Sequence, residues 1–196
     1  MRNTMSNVRR MVFAAFCVAL CVILPLVLHA IPNAGTVLLP MHIPVLLCGL
    51  ICSWPYGFVC GLLGPALSCL LCAMPPAASL PAMMVECSIY GLISGVVLRL
   101  IRTGNVYGDL YLSMGSAMIV GRIAAGAAKA LLFAPGKITM AVWASSYFAV
   151  GLPGIAIQLL LLPTIVFALM RAHIIPERYP SRGAAAPDAK EGSADE

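Results

Sequence analysis

The chain has 196 residues, 61% of them hydrophobic and 10% charged, with a formal net charge of +5 and a mean hydropathy of +0.98. A water-soluble domain carries about 25% charged residues. Between Arg10 and Arg99 the only formally charged residue here is Glu86, so a soluble fold is excluded. The surplus basic charge then belongs to loops at an anionic leaflet rather than to a nucleic-acid surface.

In chain order, the basic opening MRNTMSNVRR leads into apolar Met11–Ala30. The order is that of a secretory signal, but the apolar spans that follow make it a retained first transmembrane helix. A crossing takes ~20 apolar residues. Further segments are expected at His42–Cys52, Pro55–Cys72, Pro81–Ile101, Leu110–Phe133 and Ser145–Arg171. The second is short, and its end rests on SWPYG, where Trp54, Pro55 and Gly57 give a turn with interfacial aromatics. A single bent element across Pro55 would leave five spans.

Charge chooses between the two counts. With six spans and both termini inside, Arg2, Arg9, Arg10, Arg99, Arg102, Arg171, Arg178, Arg182 and Lys190 face the cytoplasm, and only Lys137 lies in an outside loop. That is a strong positive-inside bias. The expected architecture is all-α: residues 1–10 a cytoplasmic segment, 11–172 a six-helix transmembrane domain, and 173–196 a cytoplasmic, mostly disordered tail. The tail SRGAAAPDAKEGSADE has the polar composition of such a segment.

Small residues recur four apart at Ala15 and Ala19, Gly57 and Gly61, and Gly91 and Gly95. In lipid such pairs let helix backbones approach closely. The glycines read as bundle packing; the alanines suit either packing or a partner protein. The eight cysteines, Cys17, Cys21, Cys48, Cys52, Cys60, Cys69, Cys72 and Cys87, lie in or beside apolar segments. There they behave as small hydrophobes and are expected to be reduced.

Ionisable groups inside a membrane face the bundle interior or a wet cavity. Here they are Glu86, Arg122 and Lys129, with His42, Tyr90 and Gln158 as polar company. At 1.5 Å per residue, Glu86 is expected ~8 Å from the outer end of its span, Lys129 ~6 Å, Arg122 ~16 Å and Gln158 ~20 Å. Arg122 and Lys129 are seven apart and share a face. All six can line one outward-opening cavity, with CAMPPAASLP and FAPGKITMAVW near its entrance. A carboxylate or phosphate on the solute would match the Arg122 guanidinium. The structural alternatives are a Glu86–Lys129 pair, a snorkelling Lys129, Arg122 on backbone carbonyls, His42 as a helix cap beside Pro44, and Gln158 and Tyr90 as interhelical hydrogen-bonders.

No catalytic motif stands out. PGKIT lacks the glycine spacing of a Walker loop, and Cys69–Cys72 has no relaying partner pair in an outside loop. The alternatives to solute capture are a stand-alone secondary transporter or channel, which would need its own ion site, and a membrane thiol oxidoreductase.

The Ala15–Ala19 helix, LPMHIPVLLCGL, WPYGFVCGLLGPALSCLL, MPPAASLPAMMVECSIYGLISGVVLRL and GRIAAG, in this order from about residue 8 to 172, resemble the substrate-binding (S) component of energy-coupling-factor (ECF) transporters. The resemblance implies a six-helix plasma-membrane protein that captures a vitamin or related micronutrient from outside. It also implies partners: a membrane scaffold subunit and two cytoplasmic ATPases, which use the ATP. This chain would then hold no cofactor or metal of its own. Ala15 and Ala19 would pack on the scaffold, and the polar set would map onto the outer-half pocket.

Overall fold

The computed structural model of the chain describes residues 5–28, 34–130 and 151–176. Among these the secondary structure is helical: α1 (Asn7–Leu28), a single turn α2 (Ala34–Val37), α3 (His42–Cys52), α4 (Trp54–Cys72), α5 (Leu80–Leu100), α6 (Val106–Ala128) and α7 (Leu152–Arg171). Five of them, α1, α4, α5, α6 and α7, are long and apolar enough to cross a membrane. The loop expected at residues 133–143, with Lys137 and Trp143, the beginning of the last span at Ser145, and the tail beyond 176 lie outside the described residues.

The helix cores fall where the apolar runs predict, and the ends differ where polar side chains close them. The first span begins at Asn7 rather than Met11; the Ser6 hydroxyl accepts from Arg9 N at 3.3 Å. The fifth begins at Val106 rather than Leu110, because Asn105 Oδ1 accepts from Tyr107 N at 3.0 Å and caps the helix. Asp109, fully buried, accepts from Thr103 N at 2.8 Å and Thr103 Oγ1 at 2.7 Å. Hydropathy cannot see such caps.

At 11 residues α3 is about 16 Å long, roughly half a bilayer core. It is apolar all round, and a helix of that kind is buried. All of it but Ile43 and Ile51 is buried, against α1, α4, α5 and α7. The chain turns at Ser53, whose φ is 86°, and doubles back so that Gly57 of α4 lies against Gly49 of α3. The bent single element across Pro55 is therefore not what forms.

Helix α5 is the centre of the bundle, packed on α4, α6 and α3. Gly57 and Gly61 sit on Gly91 and Cys87, and Gly95 on the start of α4, with backbones close enough that no methyl fits between them. These glycines pack helices within the chain. By contrast Ala15 and Ala19 are exposed on α1, whose buried stripe is Cys17, Cys21 and Pro25. All eight cysteines are free, with Cys69 and Cys72 half-buried at the end of α4.

Candidate functional site

Four helices bring polar side chains to one level of the bundle. His42 opens α3. Its backbone N–H donates to the Leu39 carbonyl at 3.1 Å, and its ring nitrogens make no capping bond among the described residues. The ring reaches α5 instead: Nε2 lies 3.4 Å from Glu86 Oε1, and the imidazole is tilted 60° against the Tyr90 ring with centroids 5.0 Å apart. One helical turn beyond Glu86, the Tyr90 hydroxyl donates to the same Oε1 at 3.1 Å. The His42–Glu86 contact has the distance of an ion pair without hydrogen-bond alignment, and both imidazole nitrogens lack a hydrogen-bond partner among the described residues.

Tyr90 can lie flat on α6 because residue 121 is glycine: a Cβ there would overlap the ring at Cδ1 and Cε1. The same approach fixes the helix register. Gly121 stands opposite Glu86, its would-be Cβ 3.4 Å from the Glu86 carbonyl, and further along Ser113 Oγ donates to the Ser94 carbonyl at 2.6 Å. Arg122 is thus level with Glu86, not ~8 Å deeper as counting residues from the span ends predicts. Counting along single spans is a poor ruler because the offset between α5 and α6 is set by the fit of Tyr90 on Gly121.

Arg122 is buried at 3% exposure. Its Nη1 and Nη2 come within 3.3 and 3.2 Å of where a side chain on Gly151 would begin, and Leu39 Cδ1 reaches the same point. Gln158 of α7 donates from Nε2 to the Leu39 carbonyl at 3.4 Å. Leu39, with φ of 51°, therefore ties α3 to α7. Gly154 presses on the same segment, where a Cβ would stand 2.6 Å from the Val37 carbonyl oxygen.

Of the six polar residues expected to converge, His42, Glu86 and Tyr90 touch one another. Arg122 and Gln158 flank them through Gly121, Gly151 and Leu39. Lys129 does not join. It is half-buried in the turn that follows α6, two turns past Arg122. The ion pair recorded on Glu86 is with His42, and among the described residues none joins Glu86 to Lys129. The register explains the difference, since Lys129 stands about 12 Å along α6 from the level of Glu86. Leu39, Gly121, Gly151 and Gly154 shape the site without carrying chemistry. In the sequence their signal is slight: GRIAAG puts Gly121 beside Arg122, and GLPG has no polar neighbour.

The Gly121–Tyr90 fit can be tested without a solute. Gly121→Ala is expected to cost about 1–3 kcal/mol by overpacking, with most of the cost relieved in a Tyr90→Ala background. Melting curves of the two single variants and the double variant measure the coupling, and additive losses would break the link.

A family model described as ECF transporter, substrate-specific component, matches residues 9–175. No curated protein and no solved structure matches the chain. A transporter component is not an enzyme, which sets aside the thiol-oxidoreductase reading of Cys69 and Cys72. With five helices able to cross a bilayer and a match over most of its length, the chain is a multi-pass membrane protein that belongs to the family of ECF transporter substrate-specific components.

Proposed function

We propose that this protein captures a micronutrient from the outer side of the plasma membrane and delivers it to an ATP-driven importer. The observation that carries the reading is the buried His42–Glu86–Tyr90 cluster, flanked by Arg122 and Gln158 from two further helices. Burying ionisable groups within a membrane is costly and marks solute pathways more often than scaffolding. In this reading the six polar residues, Lys129 included, face the entry route, and Arg122 attracts an anionic portion of the solute.

The topology proposed with it has six crossings and cytoplasmic termini. Helix α3 completes its crossing together with residues 38–41. Irregular backbone at membrane depth is tolerated where protein covers it. Here the Leu39 carbonyl takes Gln158 and His42 N, and the Met41 carbonyl faces Cys21 Sγ at 3.8 Å. The importer's scaffold subunit would dock on Ala15 and Ala19, two ATPases would supply the energy, and this chain would bind no cofactor or nucleotide.

Purified protein should bind its solute without ATP, and uptake should require the ATPases. Concentrative uptake by the protein alone in liposomes would overturn the reading in favour of a secondary transporter. Arg122→Ala should weaken solute binding by at least about 1.5 kcal/mol, the lower end for a charged hydrogen bond, or roughly tenfold in Kd. Titration calorimetry on a folded variant checks this; unchanged affinity would remove Arg122 from the site.

A further inference from the structure

The cluster is built asymmetrically around one carboxyl group. Glu86 Oε1 receives the Tyr90 hydroxyl at 3.1 Å and faces His42 Nε2 at 3.4 Å. Oε2 carries no donor from the described residues. The His42 side chain is 1% exposed against 9% for that of Glu86, and Tyr90 is fully buried. Tyr90 and His42 therefore stand behind the carboxyl group and fix its plane, while Glu86 keeps an edge that an incoming molecule can touch.

A carboxylate that already accepts from the Tyr90 hydroxyl can offer a solute only acceptor capacity. The complement is a hydrogen-bond donor. Arg122, level with Glu86 on the adjoining helix, makes the surroundings unfavourable for a compact cation and favours a neutral donor.

We propose that Glu86 is the specificity-determining residue of the site, and that the solute presents a neutral N–H edge to its Oε2: an amide, a ureido group or an amino-heterocycle. Tyr90 and His42 act as positioning residues. The inference rests on the capture reading above and narrows its substrate class. A solute that is only an anion would leave Oε2 desolvated without a partner, and an unpaired buried acceptor is heavily disfavoured.

Melting-temperature shifts of the purified full chain test this with two sets of probes: nicotinamide, biotin and 4-aminopyrimidine carry an N–H edge, whereas nicotinate and lipoate are carboxylates without one. Stabilisation by at least one member of the first set is expected, with no response to the second. Glu86→Gln should weaken the responding probe about tenfold or more, since a charged hydrogen bond is replaced by a mismatched amide. Tyr90→Phe should weaken the same probe by less while keeping the order of probes. Stabilisation by nicotinate or lipoate, or affinity unchanged in Glu86→Gln, would overturn the inference and leave solute capture standing. No response to either set would overturn both.

Discussion

Replacing Ala15 or Ala19 with tryptophan is expected to reduce ATP-dependent uptake about tenfold or more while leaving solute affinity within about twofold. The two alanines lie on α1 among exposed Val8, Met11, Val12 and Phe16. The opposite side of that helix is already occupied: Gly64 of α4 approaches so closely that a Cβ would come within 2.8 Å of Cys21 Sγ. A lipid-facing surface gains nothing from small side chains, because lipid tails are as apolar as leucine. Helix association in membranes is driven by close packing, which small residues permit. A gap between large side chains, turned away from the bundle, is the shape another helix fits. Tryptophan would fill that gap without reaching the Glu86 cluster, so binding by the isolated protein and uptake in the assembled importer should separate. Paired binding and proteoliposome uptake measurements decide the matter. Full uptake with both substitutions present would end the docking role.

The spans were legible because long apolar runs leave few alternatives, and even the short α3 was bounded correctly at His42 and Cys52. Chain ends of helices were less legible, since they depend on individual caps such as Asn105. The membership of the site was partly legible: an ionisable side chain in oil announces itself by type alone. Its pairings were not. Glu86 meets His42 across α3 and α5, two elements whose approach is set by glycines at 49, 91 and 95, and nothing in the spacing of Glu86 and His42 encodes that contact. The alternative of a Glu86–Lys129 pair is equally silent in the sequence, and among the described residues the charged contact of Glu86 is with His42. Residue counting gives depth along one helix, whereas the register between α5 and α6 is fixed by the fit of Tyr90 on Gly121. The backbone role of Leu39, an acceptor for both Gln158 and His42 N, has no signature in side-chain chemistry.

The same glycine contacts lead to the largest expected effect on stability. Gly91→Leu is expected to abolish recovery of folded, monodisperse protein, and Gly91→Ala to destabilise it by about 1–3 kcal/mol or more, the range for overpacking a close-packed core. A Cβ on Gly91 would lie 2.8 Å from Gly57 Cα and closer still to the Gly57 carbonyl, while one on Gly57 would lie 2.7 Å from Gly49 Cα. The obstructing atoms are backbone on both sides, so no rotamer change relieves the overlap. Helices α4 and α5 would have to separate, and Glu86 and Tyr90 would move with α5. Gly115 in α6 supplies the contrast, because a Cβ there meets nothing within 4 Å. Alanine is favoured over glycine in a helix interior by about 1 kcal/mol, so Gly115→Ala should be neutral or stabilising. Melting temperatures of the two alanine variants in one detergent measure the difference directly. If Gly91→Ala proved as stable as Gly115→Ala, the helices would have another way to pack, and the level at which Glu86 meets His42 would no longer follow from that crossing.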